Sequence, residues 1–185
     1  MGLLMVTMEP PAAMEEEFND WYDLEHVPER RALPGFRNAT RWVCLHGWPR
    51  YLALYDLDSP ATLQRPEYLA VSAGNVSPWS HRILPRTRGR VRVVAEQMAP
   101  GTAELVPATR VATLVVARYA QAPGAAPAIR GLLQSRCFRQ LKEGADTWVL
   151  AAFDRVVPVA ALQDAFDALG GRGALAVNAY VPYLR

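Results

Sequence analysis

The sequence predicts an α+β fold made of two tandem βαββαβ units whose antiparallel sheets pack face to face as an α/β barrel. Three observations carry the prediction. The first half alternates strand-like and helix-like hydrophobic periods in the order βαββαβ, and the second half repeats that order about 100 residues later. Between them lies a Pro-, Gly- and Thr-rich stretch, "MAPGTAELVPATR".

In the first half, Leu3 to Met8 reads as a strand, Ala12 to His26 has helical spacing, and Phe36 to His46 and Tyr51 to Leu57 form a strand pair around a turn at Gly47-Trp48-Pro49. Ser59 before Pro60 marks a helix start, with Gly74 as its stop. Arg90 to Gln97 closes the unit as a strand. In the second half, "RVATLVVARY" is a strand, "GAAPAIRGLLQS" a helix, "CFRQLKE" and "TWVLAAFD" a hairpin around Gly144, "VPVAALQDAFDALGG" a helix and "ALAVNAYVPYL" the last strand. "YLALYD", ending at Asp56, echoes "VLAAFD", ending at Asp154, and each precedes a proline-started helix carrying Leu-Gln. The organisation expected is therefore a ferredoxin-like repeat at 1–98, a linker at 99–109 and a second repeat at 110–185. Each such unit covers one sheet face with helices, so the bare faces must meet, and a gap between them would enclose an apolar cavity.

Composition excludes several classes. A net charge of +2 with evenly mixed signs does not make a nucleic-acid surface, and the basic run from His81 to Arg92 has no interleaved aromatics and reads as a solvated connection. Cys44 and Cys137 lack metal-ligand spacing, so no metal and a reducing compartment are expected. No basic leader precedes "GLLMVTM", and no apolar run reaches bilayer-spanning length, which places the protein in the cytoplasm and off the membrane. The Asn38 and Asn75 sequons then carry no meaning.

"FNDWYDLEHVPERRALPGF", with the strand after it and "YLALYDLDSPATLQRPEYL", resembles bacterial members of the dimeric α/β-barrel superfamily, close to the EthD-like proteins, many of them of unassigned function. The resemblance covers the first half; the second is similar in pattern alone. Tyr22, His26 and Pro28 are its most specific part. It implies a barrel with a cavity and a reaction drawn from cofactor-independent isomerases, cyclases and monooxygenases, or haem handling. The chain departs from the single-repeat dimers of that superfamily by carrying two repeats, and its second repeat has no histidine. One site per chain, on the first-repeat side, is what the resemblance then implies, and a homodimer is allowed but not required.

Helical spacing puts Met14, Phe18, Trp21 and Glu25 on one stripe, with Tyr22 and His26 at its edge and Asn19 beyond them. Val27 before Pro28 ends the helix just past His26. The helix's negative end and Asp23, Glu25 and Glu29 should then favour a protonatable imidazole near neutral pH. A tyrosine, a histidine and a carboxylate suffice to move a proton, so His26, Tyr22 and Glu25 are the expected catalytic residues, with Asn19 orienting. Trp21, Trp79 and His81 are the expected substrate contacts, the last two from "SPWSHR" lying over the cavity. Against this stand plainer roles: Phe18 and Trp21 as core, His26 as a helix cap, and Glu25 paired with Arg30 or Arg31. His46, at a hairpin tip, should be exposed. Two functions fit: a cofactor-independent isomerase, cyclase or simple oxygenase acting on a small apolar or aromatic metabolite, or a non-catalytic small-ligand or haem binder.

Overall fold

The computed structural model describes residues 1–98, 103–142, 144, 146–169 and 173–184. Strands β1 (Gly2–Glu9), β2 (Phe36–His46), β3 (Tyr51–Leu57), β4 (Arg88–Gln97), β5 (Thr113–Tyr119), β6 (Leu132–Gln140), β7 (Thr147–Phe153) and β8 (Ala176–Pro182) close a barrel in the order β1-β3-β2-β8-β5-β7-β6-β4. Every pairing is antiparallel. Within each half the order is the same: β4-β1-β3-β2 in the first and β8-β5-β7-β6 in the second. The two halves bring the inward faces of their sheets together across the interior. They are zipped edge to edge by β2 with β8 and β4 with β6, because closure leaves no strand with unpaired amides and carbonyls.

Closure makes strand alternation decide what lies inside. Leu52 and Leu54 of β3, Val93 and Ala95 of β4, Leu114 and Val116 of β5 and Phe138 of β6 point inward and, with Trp42 and Tyr180, form one buried cluster. The apolar cavity expected between the sheets is thus occupied by side chains. Toward one end sits a buried pair, Arg136 Nη2 to Asp56 Oδ1 at 2.6 Å, with side chains 1% and 2% exposed. Asp56 Oδ2 accepts the Leu105 amide at 2.8 Å. The expected linker is therefore, in its described part, a plug: Leu105, like Val111 just after it, belongs to the interior cluster, and the Val106 amide donates to Gln134 Oε1.

Outside the wall lie the helices. In the first half α1 (Glu15–Trp21) runs into a π-helical turn (Tyr22–His26) and then α2 (Val27–Arg31), so the helix continues past Pro28 instead of ending before it. The reason is geometric: the Val27 amide bonds the carbonyl of Tyr22, five residues back, and this widened turn makes room for a proline ring. Phe18, Trp21 and Tyr22 bury against Leu4, Met8, Ala53 and Tyr55 on the outer face of β1 and β3. The helix expected from Ser59 to Gly74 is broken, leaving α3 (Pro66–Leu69) among short tighter turns, because Pro66 donates no amide. Ser77, whose Oγ accepts the Ser80 amide at 3.0 Å, caps α4 (Pro78–Ile83) instead.

The second half departs most from expectation. Residues 120–131, which hold most of the predicted helix "GAAPAIRGLLQS", form a loop, and β6 begins at Leu132. Pro127 breaks the helical pattern, and Gly131 takes φ +88°, where an added Cβ would lie 2.4 Å from Arg155 Nε. The hairpin around Gly144 forms as expected, with Arg139 opposite Thr147. Helix α5 (Val159–Asp167) covers this half through Leu162 and Phe166; the end of its expected span, 170–171, lies outside the described residues. No helix among the described residues is long and apolar enough to cross a membrane.

Candidate functional site

The π-helical turn that carries Tyr22 to His26 determines what these residues face. In a straight α-helix Tyr22 and His26 would share a face with Trp21 turned well away from His26; here the His26 ring lies 4.5 Å from Trp21, tilted by 31°, and 5.4 Å from Tyr22, edge-on. His26 then borders a cavity of about 140 Å³ between the helices and the outer face of the β1 and β4 strands. Leu4, Val6, Met8 and Leu84 make its apolar wall, and Tyr22, Tyr55 and Tyr68 edge it. Three of its buried polar atoms have no protein partner: His26 Nδ1, Tyr55 OH and Arg30 Nη1. Orphaned polar atoms cost stability when shielded from water, and three around one small space mark a place built to receive polar groups.

Electrostatics set the protonation states. Burial, then Arg30 and Arg41, push the His26 imidazole down to about 3, so it is neutral at physiological pH. This reverses the expectation from the neighbouring acids. Burial pushes the Tyr22 phenol up to about 12 and Tyr55 well above its ordinary value, so both remain O–H donors. Because the His26 value lies below 6.5, the unfolded chain binds a proton that the folded protein refuses; stability is therefore unaffected by His26 above pH 6.5 and falls as pH drops toward 3. Relative to His26→Gln, the wild type should lose about 2 kcal/mol between pH 7 and pH 5, read as urea midpoints at both values. Equal loss in both proteins would show that the histidine is solvated.

The other expected residues scatter. Glu25 faces away from the cavity: its Oε1 accepts from Trp21 Nε1 at 3.2 Å and from the Ser77 hydroxyl, tying the helix to α4. It neither pairs with Arg30 or Arg31 nor touches His26 in the described contacts, and Trp21 is fully buried core. Asn19 accepts from Arg41 Nη2 at 2.6 Å, and Asp23 takes Arg41 Nη1 at 2.7 Å. Arg41 thus spans the back of Tyr22, 4.4 Å from its ring and 4.0 Å from that of Tyr183. Trp79 packs half-buried beside the α4 contacts, and His81 and His46 are exposed; none of the three lines the cavity.

Sequence reasoning missed Arg30, Tyr55, Arg90 and Arg92, which all line it. Their signal was period-2 alternation in "RGRVRV" and "YLALYD", which puts Arg90 and Arg92 on one face of β4 and Tyr55 on the outer face of β3. Among the described residues no group of three or more His, Cys, Asp or Glu could hold a metal. A cavity of 140 Å³ is well below the roughly 300 Å³ at which pockets for drug-sized ligands begin, so a haem macrocycle does not fit at His26.

No protein-family model matches the chain, and no curated protein matches it in sequence. Solved structures do. An anthrone oxidase-like protein superposes with a TM-score of 0.65 at 11% identity, covering 99% of this chain and 91% of its own. A protein from Lactobacillus acidophilus NCFM, provisionally assigned as a monooxygenase, superposes with a TM-score of 0.56 at 5% identity, covering 98% and 93%. The likeness is one of fold. It extends over the whole chain, so both halves belong to one α+β barrel of the kind these proteins share.

Proposed function

We propose that the chain is a cofactor-independent enzyme of the proton-transfer type, acting on a small aromatic or enolisable metabolite bound at His26. The observation that carries the reading is the neutral imidazole with Nδ1 unpartnered at the cavity. His26 Nδ1 offers a lone pair to an acidic C–H or O–H proton, weakly so long as burial and the arginines hold its proton affinity down, and the unpartnered Tyr55 O–H can donate to the oxyanion that the loss of that proton creates. The cavity holds about one six-membered ring, since an engineered cavity of roughly 150 Å³ in another protein takes up benzene. Returning the proton to another carbon is isomerisation; giving the anion's electrons to dioxygen is oxygenation. The second branch is supported by the two structural neighbours, both named for oxidation chemistry. Equal strand order in the two halves supports the finer reading, two ferredoxin-like units at 1–98 and 110–185 in an EthD-like barrel, the second unit lacking its first crossover helix.

Two probes test it: deuterium incorporation from heavy water into the ring C–H positions of 1,3-dihydroxybenzene, and oxygen uptake with 1,4-dihydroxybenzene. Wild-type protein should accelerate at least one, and His26→Gln should lose about 10²–10⁴-fold of that acceleration, the usual contribution of a positioned general base. Acceleration that survives the substitution, or none with either probe, would sink the proposal.

A further inference from the structure

We propose that the small molecule held at His26 carries a carboxylate, seated against Arg30, Arg90 and Arg92. The inference rests on the reading of this cavity as a small-molecule site and adds the chemical class of the ligand. Three arginines and no aspartate or glutamate are among the described residues that line the cavity. Arg30 is 4% exposed; its Nη2 donates to the Val71 carbonyl at 2.7 Å and lies 3.4 Å from Glu29, which leaves Nη1 buried without a protein acceptor. Tyr55, 1% exposed, likewise holds a hydroxyl that no protein group receives. Arg90 and Arg92 stand exposed on β4, on the face shared with Val6 and Met8, and Arg92 Nη2 donates to Tyr68 OH at 3.2 Å.

A guanidinium fork matches a planar carboxylate through paired N–H donors, and a buried N–H with no acceptor gains most from an ionised one. The volume limits the remainder of the molecule to about one ring. Seating the anion has a second effect. Burial first, then Arg30 and Arg41, hold the imidazole's proton affinity down, and a carboxylate beside Arg30 offsets the part due to that guanidinium.

Calorimetric titration of the protein with benzoate, its neutral isostere benzamide, and phenyl phosphate decides the matter. Benzoate should bind about tenfold or more tightly than benzamide, and less well as salt is raised. The exposed pair Arg90→Gln with Arg92→Gln should erase the preference without moving the melting temperature. Should the pair lower the melting temperature, each single variant gives the same reading separately. Equal affinity for benzoate and benzamide, tighter binding of phenyl phosphate, or no benzoate binding would each overturn the assignment. The arms also separate the two readings. Benzoate preference with neither exchange nor oxygen uptake catalysed leaves the carboxylate subsite and removes the proton-transfer enzyme; exchange or uptake that depends on His26 without benzoate preference does the reverse.

Discussion

Asp56→Ala should lower the stability of the barrel by about 3–5 kcal/mol, the range found when one partner of a buried ion pair is removed. The reason is what it leaves behind. Arg136, on the far side of the interior, is 2% exposed, and its Nε and Nη1 already lack partners, so its charge is held by Asp56 and by the Phe138 ring 4.8 Å away. The same substitution strands the Leu105 amide, which loosens the plug at the barrel end. For a chain of this length that loss corresponds to a fall in melting temperature of roughly 6–20 °C. Asp56→Leu combined with Arg136→Met should recover most of it, because an apolar pair of similar volume pays no desolvation cost. A double variant that melts as early as Asp56→Ala would show that the charges are needed for the fold itself.

Phe18→Ala should cost about 3–5 kcal/mol, as large-to-small changes in a packed core do. Phe18 is fully buried, with its ring 5.0 Å from Tyr22, 5.1 Å from Tyr51 and 6.0 Å from Trp21. Phe18 does not line the His26 cavity, so turnover per folded molecule should be kept while the urea midpoint drops. A loss below about 1 kcal/mol, or a specific loss of turnover at full folding, would place Phe18 in the site instead. Measured beside His26→Gln, the pair separates packing from chemistry along a single helix.

Much of this was legible in the chain. Strand-like apolar runs marked seven of the eight strands and the end of the sixth, and helical spacing marked Phe18 and Trp21 as core, because those patterns report local geometry that the barrel keeps. His26 was singled out from its place beside an apolar stripe, and it borders the cavity. Its charge state was not legible, since burial sets it first and Arg30 and Arg41 then act through space. The helix expected at 124–135 failed because apolar residues spaced for a helix also alternate from Leu132 onward, and Pro127 and Gly131 tip the balance locally.

By itself the sequence determined the α+β class, the order of strands in each half and the helix that bears His26, all consequences of near-neighbour periodicity and of proline and glycine chemistry. Tertiary structure alone decided that the halves also join edge to edge to close the barrel, that the interior is filled with Leu105 plugged against Asp56, and that the His26 cavity lies outside the wall. Those outcomes depend on strand edges, buried charges and a widened helical turn meeting across tens of residues, where no local pattern records which group will face which.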